Sequence, residues 1–368
     1  MNMSNERYHS KKPGEVILHS NDVPPATEYR KELMGYLHEY PDGNDKNDLT
    51  GRLWSYTESG FHSACFELFL YHLVTARCKK VVPHPSLPSV GTHPEFAVQH
   101  ILGDFFLEAT LALESEEYRA QEQRLRELVD AVRDIRGSVF LWAQPVTHLP
   151  TDFELDSVRD FLRREIGKLD PAELSLPKTL TFEANLNNVR VIINFEVIGA
   201  DQNNGNTVVQ AWGSPDARAV TTHLRIRRRV GFKATRYGQL DKPYVVAVWP
   251  KCELPLTKDV ALAALFGDPA LTIDTNTRQI VSEQRVSNGV FNTVMNGEAL
   301  NRQVSAVALY RERFLRTYER QLVMYHNPYA LYPIAEEIFL GLPQFVFRKD
   351  GDGSGRMLWL NDVNPWNE

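Results

Sequence analysis

Residues 92–113 read THPEFAVQHILGDFFLEATLAL. Two strand-like runs, PEFAVQHI and FFLEATLAL, meet around Leu102, Gly103 and Asp104, and each carries one glutamate, Glu95 and Glu108, among Phe, Val, Leu and Ala. An unpaired carboxylate costs several kcal/mol to bury, so two of them in apolar strands need an explanation. Parity decides which way they point. A turn centred between Ile101 and Leu102 sets Glu95 directly against Glu108. A turn centred between Gly103 and Asp104 sets Glu108 against Gln99 and leaves Glu95 further along the same face. Either register puts both carboxylates on one face, whereas a slip of one residue would separate them. Thr110 shares the face of Glu108. Phe105, Leu107, Ala109 and Leu111 take the other face and read as core.

Two carboxylates on one sheet face repel unless a positive charge lies between them. A divalent cation with a preference for oxygen, Mg2+ or Mn2+, supplies that charge. The alternative is that one glutamate pairs with an Arg or Lys and the other is solvated.

Working outward, residues 62–78 (HSACFELFLYHLVTARC) are apolar almost all round and predict a largely buried helix containing Glu67. A short strand, KKVV, and a proline-punctuated loop lead to the hairpin. A charged amphipathic helix is expected over 115–136, with Tyr118, Leu125, Leu128, Val129 and Val132 inward, followed by a strand at GSVFLWAQPV. The order is then helix, three strands, helix, strand. This is an α/β core with a meander inside it. Residues 153–170 read as helical, and 180–199 as a strand pair with an Asn-Asn turn. Residues 201–218 are a polar Gly/Asn-rich loop. A strongly basic helix over 220–239 leads into PYVVAVWP, a continuous apolar strand of the kind buried on both faces. A helix near 258–266, a strand at VSAVALY and a turn at DGDGSG follow. Residues 1 to about 45 are polar and read as a loosely ordered arm or a peripheral cover, not core.

With these elements placed, the chain resembles the PD-(D/E)XK nuclease superfamily. Glu67, the Pro94-Glu95-Phe96 strand and the Glu108-Ala109-Thr110 strand resemble its helix acid, "PD" strand and "(D/E)xK" strand. The resemblance implies a restriction-endonuclease-like α/β core, a mixed central sheet flanked by helices. That core would span 46–250, with an inserted β-rich subdomain over about 150–220 and a C-terminal α+β extension over 251–368. It implies that Glu95 and Glu108 hold Mg2+ (or Mn2+), that Glu67 assists, and that a lysine of the third motif positions or activates the nucleophile. Two positions depart from the pattern: Glu95 replaces the usual Asp, and Thr110 stands where the lysine belongs.

The basic helix carries the residues that restore the charge. Lys233 and Tyr237 are four apart and share a helix face, which Arg229 extends by a turn. This resembles the Q/K-x-x-x-Y helix of exonuclease-like branches of the same superfamily, and makes Lys233 the substitute for the missing lysine. Arg225, Arg227, Arg228, Arg229 and Arg236 form a local cationic patch. Within it Arg225, Arg228, Arg229, Arg236 and Tyr237 are the expected nucleic-acid contacts. The alternative is a solvated helix face paired with acids elsewhere.

Bulk properties bound the rest. The 368 residues are 43% hydrophobic with a formal net charge of −6, so any basic footprint is local. Three widely spaced cysteines exclude a disulfide framework and fit a reducing cytoplasm. The N-terminal MNMSNERYHSKKPGEV has no apolar core of a signal peptide, so none is expected, and no uninterrupted apolar run approaches the roughly 18 residues of a membrane span. Asp350–Gly355 begins like an EF-hand loop, but Asn361 falls where the bidentate Glu should be, so a hairpin turn is expected. His84, His93 and His100 lack zinc spacing and read as loop histidines. The expectation is a cytoplasmic, metal-dependent nuclease-like protein that hydrolyses phosphodiester bonds. Its partner is nucleic acid, with DNA ranked before RNA; no membrane is involved, and there is room for a homodimer. The competing expectation is a nuclease fold that has lost its chemistry and binds nucleic acid or a protein.

Overall fold

A computed structural model of the chain describes residues 24–55, 57–87, 91–113, 120, 124, 127–128, 131–132, 135–137, 139–147, 149–150, 153–170, 178–186, 188–200, 206–207, 209–212, 222–251, 256–273, 280–292, 294–295, 298–314, 318–350, 355–360 and 365. They fall into two compact units: 24–113 with 222–365, and 120–212.

The larger unit opens with a correction. Within the supposed polar arm, Pro24–Glu39 forms a helix (α1), and Asn44–Leu53 forms another across its end (α2). The polar composition hides a stripe at helical spacing: Tyr29, Leu33, Tyr40, Leu49 and Leu53 are all essentially inaccessible to water. Burying each such side chain contributes about 1.5–3 kcal/mol, enough to hold two otherwise hydrophilic helices onto the core. Residues 1–23 lie outside the described set.

Glu58–Thr75 is the apolar helix (α3), capped by Thr57, whose hydroxyl accepts from the Gly60 amide. Three strands follow: Lys80–Pro83 (β1), Phe96–Gln99 (β2) and Phe105–Leu113 (β3). They form an antiparallel meander in which Phe96 faces Leu107 and Ala97 faces Phe106. This is the register of the turn centred between Ile101 and Leu102, one of the two odd registers. Gly103, at φ 136°, occupies backbone space that a side chain would strain.

After the second unit the chain returns through helix Thr222–Arg236 (α4) to strand Tyr244–Lys251 (β4). Strand β4 lies parallel to β3, with Val246 opposite Glu108 and Val248 opposite Thr110. Helix Lys258–Phe266 (α5) then leads to Ala306–Phe314 (β5), Tyr318–His326 (β6), Gln344–Lys349 (β7) and Gly355–Trp359 (β8). The eight strands line up in chain order in one mixed sheet. The C-terminal strands thus widen the central sheet. Strands β7 and β8 pair antiparallel across Asp350–Gly355, with Lys349 opposite Gly355, so the flanks of the EF-hand-like stretch form a hairpin. Residues 351–354 lie outside the described set.

Strand alternation gives each sheet face its own core. Phe105, Leu107, Leu111, Val245, Ala247 and Trp249 pack with α1, α2 and α3. Phe106, Ala112, Tyr244, Val246 and Val248 pack with α4 and α5. The result is an α/β architecture with a large mixed central sheet flanked by helices.

The smaller unit has its own four-stranded sheet in the order 178–186, 189–200, 139–145, 209–212. Helix Leu155–Ile166 buries Val158, Leu162 and Ile166 in the same hydrophobic cluster. Here the expected core order fails. Strand 139–145 belongs to this sheet, pairing antiparallel with 189–200, and β4 takes the place beside β3. The reason is burial: β4 is apolar at every position from Tyr244 to Trp249 and fits between two helical layers. Most of the expected 115–136 helix lies outside the described residues, although Leu128 and Val132 are buried in this unit.

Candidate active site

The hairpin register brings Glu95 and Glu108 to the α4 side of the meander, and each meets different partners. Glu108 is wholly buried in the middle of the sheet, between the end of β2 and β4. Its Oε1 pairs with the Lys233 ammonium, and its Oε2 accepts from the Tyr237 hydroxyl at 2.6 Å. Lys233 itself is 6% exposed. Spacing by four on α4 makes this possible, because Lys233 and Tyr237 project from the same ridge. Gly238, in the left-handed region at φ 64°, ends the helix just beyond Tyr237. Burial and the Glu108 charge raise the Tyr237 phenol well above its ordinary value, so it stays protonated as a donor.

One turn back on the same ridge, Arg229 answers the question set by Thr110. Its Nε donates to Thr110 Oγ1 at 3.1 Å and to the Leu111 carbonyl at 3.0 Å. A cation therefore stands beside the position where the sequence lacks one. Burial lowers the pKa of Arg229, and the charges of Arg236 and Arg228 lower it further. Arg225 continues the ridge, donating to the Leu113 carbonyl at 3.2 Å. Arg227 leaves the expected patch. Its guanidinium pairs with Asp268 at 2.6 Å and donates to the carbonyl of Ala263 in the last turn of α5. It is a structural arginine, because position 227 faces the neighbouring helix.

Glu95 belongs to a second cluster with Glu67 and His84, whose potential ligand atoms all lie within 4.8 Å of one another. Glu67 comes from α3, nearly inaccessible to water as its apolar neighbours predict. His84 follows β1 in the proline-rich loop, held at φ 44° with its amide donating to the Glu95 carbonyl at 2.9 Å. Its ring bridges the two acids, with Nε2 3.4 Å from Glu67 and Nδ1 3.5 Å from Glu95. Glu67 is anchored on its other side by Arg52 of α2, at 2.7 Å, and by the Tyr40 hydroxyl at 3.4 Å. Arg52 also donates to Ser63, one turn before Glu67.

The electrostatics separate the acids. Burial drives the Glu67 carboxyl up, but the His84 hydrogen bond and the Arg52 charge overcome it and hold the group below its ordinary value. The same hydrogen bond to Glu67 raises His84. Glu95 has no such anchor. Burial, then Glu67, then Glu108 push its carboxyl up to about 8, only partly offset by His84 and Lys233. A partly exposed carboxylate crowded by two others, next to an imidazole, is a site short of positive charge.

A divalent cation fits this shortage. The His84 Nδ1 atom is buried and has no hydrogen-bond partner, while Nε2 faces Glu67. A carboxylate holding one imidazole nitrogen so that the other is free is the usual support for a metal-bound histidine. Octahedral ligands at about 2.1 Å stand about 3 Å apart, so the 3.5 Å between His84 and Glu95 needs little contraction. The ligands would be Glu95 and His84, with Glu67 orienting the ring. Glu108 lies across the hairpin with lone pairs left on both oxygens. Imidazole nitrogen beside carboxylate suits Mn2+ better than the strictly oxygen-seeking Mg2+.

The sequence reading placed Glu67, Glu95, Glu108, Lys233, Tyr237 and Arg229 in one region, and the structure brings them together. It set His84 aside for lack of zinc spacing and missed Arg52 and Tyr40. No family model, curated protein or solved structure matches the chain. Among the described residues no helix is long and apolar enough to cross a membrane.

Proposed function

We propose that the chain is a divergent, metal-dependent nuclease-like protein that hydrolyses phosphodiester bonds. One observation carries this reading: the Glu67–His84–Glu95 cluster stands beside a buried Glu108–Lys233–Tyr237 group on adjacent strands of a helix, three strands, helix, strand core. The order α3, β1, β2, β3, α4, β4 supports the PD-(D/E)XK resemblance, with the second unit placed in the chain between β3 and α4.

A cation held at Glu95 and His84 would act as a Lewis acid on the scissile phosphate and lower the pKa of attacking water. The chain's own residues supply the rest. Lys233, held in place by Glu108, sets a fixed ammonium near the phosphate. Arg229, fixed by Thr110 and Leu111, adds a second cation where negative charge grows as the water oxygen bonds to phosphorus and the phosphorus–oxygen bond of the leaving group breaks. Tyr237 orients Glu108 through its hydroxyl. Glu67 orients His84, and Arg52 keeps Glu67 charged.

The test is to incubate the purified chain with labelled DNA and RNA in Mn2+, in Mg2+ and in EDTA. Metal-dependent cleavage that disappears in Glu95→Gln and Glu108→Gln supports the reading. Cleavage that survives both substitutions, or no cleavage in any metal, overturns it. A second reading has its own observation: each oxygen of Glu108 already takes a protein partner, Lys233 or Tyr237, as in a fold that retains the site for stability and binds nucleic acid without cutting it. That reading expects salt-sensitive binding and no cleavage.

A further inference from the structure

Helix α4 carries two ridges of residues spaced by four. Arg225, Arg229, Lys233 and Tyr237 face strand β3, each with a partner there. The adjacent ridge, Leu224, Arg228, Phe232 and Arg236, points to water. Leu224 is 47% exposed and Phe232 57% exposed, and Arg228 and Arg236 are exposed. A single exposed apolar residue is ordinary on a protein surface. Phe232 is distinguished by its setting: an arginine lies one turn away on either side, and Lys233 of the candidate active site is its neighbour in the chain.

The electrostatic setting is equally specific. Arg228, Arg229 and Arg236 crowd one stretch of helix in a chain whose net charge is −6. The Arg236 guanidinium lies over the Tyr237 ring, 5.6 Å from its centroid. Polyanions neutralise clusters of this kind, and an aromatic ring between cations matches how unpaired bases and their phosphates are held. A duplex fits less well, because its base faces are stacked and hidden.

We propose that this ridge is a binding track for single-stranded nucleic acid, with a base stacked on Phe232 and the flanking phosphates neutralised by Arg228 and Arg236. The arginines span about 12 Å along the helix axis, and the strand they hold passes the Lys233 side of α4. Only this delivery of the backbone to Lys233 rests on the nuclease reading; the binding track does not.

The experiment measures fluorescence anisotropy of labelled oligothymidylate and oligouridylate, and of the oligothymidylate–oligoadenylate duplex, in EDTA. Phe232→Ala should weaken single-strand binding about 5- to 150-fold, the worth of one base–aromatic stack. Phe232→Trp should retain that binding, and duplex binding should not respond to either change. Arg228→Ala and Arg236→Ala should weaken all three probes and each lower the salt slope by about one. The thermal transition should be unchanged in Phe232→Ala, since the side chain is exposed. Comparing the two single strands separates DNA from RNA. Single-strand binding that ignores Phe232→Ala, equal affinity for duplex and single strand, or no binding of any probe overturns the track; the last result would assign the face to a protein partner. Cleavage measured in parallel separates the two claims. Phe232-dependent binding without cleavage keeps the track and removes the nuclease reading. Cleavage with Phe232-independent binding does the reverse.

Discussion

Replacing Lys233 by methionine should destabilise the larger unit strongly, and the size follows from burial. Glu108 has no exposed surface, and its two stabilising contacts are the Lys233 ammonium and the Tyr237 hydroxyl. Methionine matches the lysine stem in volume, so the loss is almost purely electrostatic. Removing one member of a buried pair leaves an uncompensated charge and costs about 3–5 kcal/mol. For a unit of this size each kcal/mol moves the midpoint by about 2–4 °C, so Lys233→Met should unfold about 6–20 °C below wild type. Tyr237 still donates to Glu108, which places the outcome towards the lower end. The double variant Lys233→Met/Glu108→Gln should recover most of the loss, because the charge and its partner leave together. Differential scanning calorimetry on the four proteins of this cycle measures it. A Lys233→Met midpoint within about 2 °C of wild type, or a double variant no more stable than Lys233→Met, would refute the claim that Glu108 and Lys233 form a buried pair.

Three further outcomes follow from neighbouring contacts. Arg52→Met should lower stability at neutral pH by removing the anchor of Glu67. Because the folded carboxyl of Glu67 sits below its ordinary value of 4.5, the wild-type advantage is present above that value and fades as pH falls through the folded pKa; thermal melts across this range should show the two proteins converging. Arg227→Ala should cost about 1.5–3 kcal/mol from the lost Asp268 and Ala263 contacts yet leave nucleic-acid affinity unchanged, read by melting and anisotropy together. Arg229→Ala should show the opposite split, with weaker nucleic-acid binding at little cost in stability, since its partners Thr110 and Leu111 are neutral.

What the sequence revealed and what it hid follow from the range of the signals. Two-residue alternation in 92–113 put Glu95 and Glu108 on one face before any pairing was known, and the four-residue spacing of Lys233 and Tyr237 put them on one helix ridge; both are local periodicities. Sheet membership is not local. Nothing within GSVFLWAQPV states which sheet it joins; the expectation counted it with the core, and it pairs with 189–200 instead. Composition misled at α1 and α2, where two buried side chains per helix, with Tyr40 between them, outweigh a polar average. His84 carried no signature because its partners come from α3 and β2, and its position is set by a proline-rich turn with positive φ. The one available clue was a histidine two residues after an apolar strand and between two prolines. Thr110 is neutral where the resemblance calls for a lysine. Arg229 fills part of the gap from the same helix that brings Lys233.

Titration with Mn2+, followed by the electron paramagnetic resonance of the free ion, tests the centre of this account most directly. One saturable site per chain should appear in wild type, weaken sharply in Glu95→Gln and His84→Ala, and persist in Phe232→Ala. Glu95→Gln should keep or raise the melting temperature without metal, because it relieves the crowding that pushes Glu95 up to about 8. A wild-type protein that leaves Mn2+ free in solution, or a Glu95→Gln variant that binds it as tightly as wild type, would contradict the account.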